Sequence, residues 1–566
     1  MPPPVETPPI GLVHPDAPGG RYFESLEAYL AWYDARAASL PTPREGVQLL
    51  GAPTVGLLLY RKHVISHLGY IDELIRGLEA GGLRPLPVFI NGVEAHTVVR
   101  DAFTSQHKIA LGVPTPSALG SAHVDAIVNT IGFPLVGGPA GSLPACLLPA
   151  ADLTSPPLLL PPSSLALATS YHLLLATGSM AAGRRVDVAA EILHALDVPY
   201  LVAAPLLIQD DASWRREGVQ GLQQVVLYAL PELDGAVDTV VLGGLKGDDI
   251  VLDSERVDKL AQRLNGWIRL RAKPPEQRRL ALLLYGFPPN VGATGTAALL
   301  DVPSTLDALL ERLRSEGYDV GGAAGGDARG ETLIAALATI TAEAATARGA
   351  ASLPAVLEAA TKRTAKTAAR VDNSTNGLGG AEIVASAVDG PTLRSWLGSE
   401  LSQKLEAQWG ELRSYRGIAS QADGGLVCAG LQLGNIFLGV QPLLGIEGDP
   451  IRLMFERDLT PHPQYCAFYE WLWAGASSES EASTEADHRL GVGADAVVHL
   501  GMHGTVEWLP GSPLGGTATT WPDKLLGGAP NIYLYAANNP SESILAKRRE
   551  SAVRASNTLG KLCAKP

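Results

Sequence analysis

Residues 495–511, DAVVHLGMHGTVEWLPG, place His499, His503 and Glu507 at four-residue spacing behind a short apolar run. Imidazole and carboxylate groups hold divalent cations or relay protons near neutral pH. Gly501 and Gly504 let the backbone turn sharply and approach a ligand without a Cβ in the way. The same residues also read as a buried strand and turn whose histidines fall there incidentally. A second candidate is GVQPLLGIEGDP, residues 439–450, with Glu447 and Asp449 among glycines and before Pro450. Carboxylates on a turn at a strand end suit a hard cation such as Mg²⁺, which favours oxygen ligands and retains water. The plainer reading is a Gly-Asp-Pro turn whose aspartate serves nearby backbone.

A third segment, PNIYLYAANNPSESILAKRR at 530–549, runs from an apolar strand through Asn538 and Asn539 into a helix capped by Ser541. Free N–H groups at such a helix start bind carboxylate or phosphate. Equally, Lys547, Arg548 and Arg549 complement the dipole of the last turn. Trp508, Trp521, Tyr533 and Tyr535 can line a flat aromatic pocket or simply fill a core. The glycine-rich YGFPPNVGATGTAALL, 285–300, lacks G-x-x-x-x-G-K-[ST], so no P-loop of the usual form is present and no ATP site is found elsewhere. No Gly-x-Ser-x-Gly elbow occurs.

The elements that must position these residues follow an α/β pattern. Continuous apolar runs at 54–60 and 85–90 flank a helical segment at 70–80, the signature of parallel strands buried on both faces. Further strands are expected at 124–138 and 199–208, with a helix at 191–196 before the second. Residues 22–37 read as an amphipathic helix. Strand 280–285 opens a second α/β unit whose helix, 304–317, takes Ser304 as N-cap. The Ala-rich 335–368 is expected to be helical, and the stretch 393–409 to be a helix. Strands are expected at 426–429, 436–440, 496–500 and 531–536, and a helix at 462–473.

The fold class is therefore α/β and multidomain, with several parallel or mixed sheets flanked by helices and Ala-rich helical segments. The expected division is a Pro-rich segment plus helix at 1–50, an α/β domain at 51–275, a second unit at 276–420 and a site-bearing core at 421–566. Residues 139–185 and 474–493 look like long loops, the first a low-complexity insertion in the 51–275 domain.

Composition narrows the function classes. With 46% hydrophobic and 18% charged residues among 566, the chain can bury several cores. A net charge of −14, with no dense Lys/Arg block, argues against nucleic acid. Four scattered cysteines without a CxxC pair fit a reducing compartment. Prolines and Asp152 interrupt the apolar stretch 143–176, which falls short of the roughly 20 uninterrupted residues of a bilayer helix. No signal or transit peptide is evident at the N-terminus.

Taken together and in order, YGFPPNVGATGTAALLDVPSTL, GNIFLGVQPLLGIEGDPIRLMFE, HPQYCAFYEWL, GADAVVHLGMHGTVEWLPG and PNIYLYAANNPSESILAKRR resemble the large porphyrin-binding H subunit of magnesium chelatase, homologous to the large subunit of cobaltochelatase. Weaker similarity extends back to about residue 50. Relative to that family the chain reads as a truncated or divergent member, with Met502 and Ser512 where threonine and lysine are usual.

The resemblance implies insertion of Mg²⁺ into protoporphyrin IX in chlorophyll synthesis, with ATP hydrolysed by partner I and D subunits of the AAA+ type. Glu447, Asp449, His499 and His503 would handle metal, and His499, His503 and Glu507 would do the catalytic proton work. Asn435, Gln441, Trp508, Asn538, Asn539, Lys547 and Arg548 would contact the macrocycle. It further implies residence in the plastid of a eukaryote, or otherwise in the cytoplasm. The alternatives are a cobaltochelatase subunit acting on a corrin ring and an inactive tetrapyrrole-binding regulatory paralogue.

Overall fold

The computed structural model describes residues 7–554 except 19–21, 40–48, 92–94, 104–118, 137–185, 286–293, 298–299, 322–328, 347–352, 373–377, 379, 416–419, 422–424, 447–448, 450–451, 457, 475–490, 536–539 and 550–551. The long loops expected at 139–185 and 474–493 fall almost wholly outside these residues, as does most of the glycine-rich loop after residue 285. The chain divides into two units, Met1–Leu264 and Asn265–Pro566.

The first unit is built on an eight-stranded sheet. Its strands are β1 (Ile10–Val13), β2 (Tyr22–Phe23), β3 (Thr54–Tyr60), β4 (Arg84–Ile90), β5 (Ala126–Asn129), β6 (Tyr200–Asp210), β7 (Asp238–Lys246) and β8 (Asp249–Leu252). They lie in the order β2-β1-β4-β3-β5-β6-β7-β8, with β4, β3, β5, β6 and β7 parallel. Leu57, Leu58 and Leu59 in succession are fully buried, because helices cover both faces of a parallel sheet. The segment expected as one helix from residue 22 instead starts with β2, which pairs with β1, and the helix runs Leu26–Ser39.

Residues 1–50 are consequently not a separate region: β1 pairs antiparallel with β4 and belongs to this sheet. Helix Leu26–Ser39 is held by a buried polar knot. Arg36 reaches Glu79 at 2.7 Å, Tyr33 donates to the same carboxylate at 2.8 Å, and His14 Nε2 lies 3.3 Å from it.

The second unit holds a seven-stranded sheet of β9 (Leu280–Tyr285), β10 (Glu382–Val388), β11 (Leu426–Leu433), β12 (Ile436–Val440), β13 (Ala496–Gly501), β14 (Asn531–Tyr535) and β15 (Ala552–Arg554), in the order β10-β11-β12-β9-β13-β14-β15. From β12 through β15 all neighbours are parallel. β9 lies between β12 and β13, so the expected boundary near residue 420 does not divide this unit; the sheet needs strands from both sides of it. Side chains of β9 alternate between two cores. Ala281, Leu283 and Tyr285 pack with helix Pro463–Trp473, while Leu280, Leu282 and Leu284 pack with helices Val302–Ser315 and Gly330–Thr346.

Two local expectations, at 304 and at 393–409, change for identifiable reasons. Helix Val302–Ser315 is capped by Asp301, whose carboxylate accepts from Ser304 N at 3.1 Å and from its hydroxyl at 2.8 Å; Ser304 is thus in the first turn, not the cap. The Ala-rich region is helical as expected, in Gly330–Thr346 and Leu353–Asp372. Residues 393–409 also contain a break: helices Gly390–Leu397 and Ser399–Trp409 meet at Gly398, whose φ of +80° suits glycine. Among the described residues no helix is long and apolar enough to cross a membrane.

Candidate functional site

Because β12, β9, β13 and β14 are parallel and in register, their last residues arrive together at one edge of the sheet. Tyr285 ends β9, Gly501 ends β13, Tyr535 ends β14, and Gln441 follows β12. This edge is where open parallel sheets bind ligands. Gly501, at φ +139°, leaves room for the neighbouring strand: a Cβ there would stand 2.3 Å from the Tyr285 carbonyl. That carbonyl accepts from Met502 N at 3.1 Å and starts the turn that carries His503.

His503 and Glu507 form a pair. Nδ1 of His503 faces two acceptors, the Gly504 carbonyl and Glu507 Oε1, the latter at 3.3 Å. In the neutral ring, a nitrogen between two acceptors carries the proton, which leaves Nε2 with its lone pair. The other carboxylate oxygen, Oε2, accepts from the Tyr533 hydroxyl at 2.8 Å. That hydroxyl accepts from Val506 N at 3.1 Å, so its single proton is directed at Glu507. Gly504 is required here, since a Cβ would come within 2.2 Å of the Tyr533 ring tip and hydroxyl. Burial by itself would lower the His503 pKa; the hydrogen bond to Glu507 and its charge outweigh that and raise it.

Aromatic rings surround the pair. Tyr285 and Trp508 lie 5.2 and 4.9 Å from the His503 ring, centroid to centroid. Below, Tyr465 meets Thr505 Oγ1 at 2.6 Å, and Tyr469 donates to Gln441 Oε1 at 2.8 Å. The Tyr285 hydroxyl and Gln441 Nε2 are buried without a hydrogen-bond partner. Unpaired polar atoms gathered at one sheet edge mark a place where water or a polar ligand completes the bonding.

His499 is different. It lies inside β13, fully buried, with its ring edge-on to Tyr533 at 4.8 Å and neither nitrogen hydrogen-bonded. Burial pushes its pKa down to about 3, with the Asn531 amide opposing and His503 adding to the shift. A fully buried imidazole whose pKa is driven this low does not take up protons near neutral pH, so the proton-handling role expected of His499 is not supported by its position.

Of the other expected residues, Gln441 and Trp508 join His503 and Glu507. Asn435 does not: it sits at the opposite edge, its carbonyl accepting from Leu280 N at 3.1 Å and its side chain donating to Glu276 O at 2.8 Å. Six steps along the strand separate it from Gln441, roughly 20 Å at a strand's rise. Asp449 is exposed on a turn and bridges to Ile446. Glu447, Asn538 and Asn539 lie outside the described residues. Lys547 and Arg548 end helix Pro540–Arg548, and Arg549 just beyond it reaches back to the 507–511 backbone.

Sequence reading assigns no part in the site to Tyr285 or Arg549, and names Tyr533 only as an aromatic. The position of Tyr285 at the end of an apolar run is the available signal. Among the described residues no three His, Cys, Asp or Glu side chains converge as a cation site.

Fold and site together define an α/β protein whose second unit presents a histidine–carboxylate pair, ringed by aromatics, at the C-terminal edge of a parallel sheet. The chain belongs to the CobN/magnesium chelatase family, whose model matches residues 1–556. It is 35% identical to the magnesium-chelatase H subunit of Chlorobaculum parvum, over 98% of this chain and 34% of that protein. The identity is 30% to the aerobic cobaltochelatase subunit CobN of Pseudomonas aeruginosa, over 89% of this chain and 32% of that one. Among solved structures, the catalytic subunit of cobaltochelatase from Mycobacterium tuberculosis superposes with a TM-score of 0.60 at 26% identity, covering 97% of this chain and 36% of that one. The chain thus spans about a third of the length of the relatives it matches.

Proposed function

We propose that this chain is the tetrapyrrole-binding part of a magnesium chelatase large subunit, acting on Mg²⁺ and protoporphyrin IX beside ATP-hydrolysing partner subunits. The observation that carries the reading is the His503–Glu507 pair, with a free Nε2 lone pair at an aromatic-lined sheet edge. Metal insertion must strip two pyrrole protons from the macrocycle. His503 Nε2 can accept one of them while Glu507 stabilises the imidazolium, which is general-base chemistry suited to near-neutral pH. Trp508 and Tyr285, both buried against the His503 ring, form the aromatic wall of that edge. Mg²⁺ is a substrate here. Glu507 already accepts Tyr533 and faces His503, which leaves it poorly suited to hold a hard cation as well.

The greater identity to the Chlorobaculum parvum magnesium-chelatase protein favours the magnesium branch; the cobaltochelatase reading stands second on the Pseudomonas aeruginosa and Mycobacterium tuberculosis relatives. The test is quenching of intrinsic fluorescence by protoporphyrin IX on the purified chain, with a metal-free corrin as the competitor. Saturable binding weakened by Trp508→Ala supports the proposal. Absence of protoporphyrin binding at micromolar protein, or preference for the corrin, refutes it.

A further inference from the structure

We propose that Arg549 is a positioning residue that fixes Glu507 and Trp508 by gripping the backbone between them and Gly511. Its guanidinium donates through Nη1 to the Glu507 carbonyl at 3.0 Å and to the Leu509 carbonyl, and through Nη2 to the Gly511 carbonyl at 3.0 Å. The three acceptors belong to alternate residues. The short 3₁₀ turn Val506–Trp508 ends in an extended Leu509, at φ −65° and ψ 144°. Beyond such a turn the carbonyls have no helical partner, and in extended chain alternate carbonyls face one side. A planar fork of five N–H donors spans such a row; an ammonium, as a compact point charge, does not.

The grip also closes a circuit around one residue. Glu507 is held at its carbonyl by Arg549 and at its carboxylate by Tyr533. Strand β14 supplies Tyr533, and the helix that follows it, Pro540–Arg548, delivers Arg549. A single strand–helix unit therefore sets both ends of the residue that backs His503. Trp508 lies between the first two gripped carbonyls and is fixed with them. The link from this grip to tetrapyrrole binding rests on the function proposed above, whereas the grip itself does not.

The experiment compares the full chain with Arg549→Ala and Arg549→Lys by peptide-resolved hydrogen exchange and by protoporphyrin quenching. In Arg549→Ala, exchange at 506–511 should rise roughly tenfold while β9 and β13 keep wild-type protection, the pattern of local rather than global opening. Guanidinium chloride well below denaturing concentration should restore protection where equal sodium chloride does not. Arg549→Lys should retain most of the defect. The protoporphyrin Kd should weaken about tenfold in step with the loop. Wild-type exchange in Arg549→Ala, full recovery with lysine, or a loosened loop with unchanged affinity would each overturn the proposal. If wild-type protein does not quench at all, the functional reading falls, and the exchange and rescue measurements decide the grip alone.

Discussion

Replacing His499 by leucine should remove acid lability from the second unit. In the folded chain the imidazole is sealed between strands with a pKa near 3, against an ordinary 6.5. Between those values the unfolded chain binds a proton that the folded chain refuses, so stability falls as pH falls. The contribution is complete above about pH 6.5 and lost progressively toward pH 3. A gap of about 3.5 units at 1.36 kcal/mol each sets the full loss at about 5 kcal/mol, of which about 2 is gone by pH 5. Leucine has no proton to take up and is close in volume, so the variant should keep that 2 kcal/mol. The assay is urea unfolding at pH 7 and pH 5, followed by pulse-labelling mass spectrometry of the β9 and β13 peptides so that the second unit is read alone. Equal losses in wild type and His499→Leu would show that His499 is not a buried neutral group, and its exclusion from proton handling would fail with it.

Gly504→Ala should displace Tyr533, combining an overpacking cost of about 1–3 kcal/mol with loss of a carboxylate hydrogen bond, and should weaken protoporphyrin binding; wild-type stability and affinity would contradict the packing at 2.2 Å. His503 titrates with the opposite sign to His499: its raised pKa gives stability that is present below about pH 6.5 and lost as pH rises through the folded value. Glu507→Gln should abolish that component, read as a flatter stability–pH curve above about pH 6.5. In the first unit, Arg263 and Asp238 pair at 2.8 Å with almost no exposure, so Arg263→Met should cost about 3–5 kcal/mol through the carboxylate left behind; a loss under about 1 kcal/mol in urea unfolding would refute this.

What the sequence discloses here is local and periodic. TVGLLLY and LALLLY read as strands because short, nearly unbroken apolar runs fit a doubly covered parallel sheet and little else. Helix Tyr70–Ala80 reads correctly from its apolar spacing. What stays hidden depends on partners distant in the chain. Nothing in residues 280–285 says that they pair with residues 436–440 on one side and 496–501 on the other, and that pairing brings Tyr285 to His503. For the same reason Asn435, six residues before Gln441 and grouped with it by resemblance, ends at the wrong edge: a strand separates its two ends in space however close they are in sequence. Ser304 and Asp301 are both credible caps by residue type, and only the hydrogen bond decides between them.

His499 and His503 show how little a spacing determines by itself. Four residues apart, they would share a face on a helix, but here one is in a strand and the other in the turn beyond it. The strand holds His499 against Tyr533 with no charged partner, and burial drives its pKa down. The turn sets His503 beside Glu507, and the carboxylate reverses the effect of similar burial. Identity of side chain and near-identity of position thus give opposite charge behaviour, with Glu507 as the cause of the difference. Since Tyr533 directs its only proton at Glu507, the chemistry of this edge belongs to residues 503, 507 and 533 acting as one unit, and substitution at any of them should be felt at the His503 Nε2 lone pair.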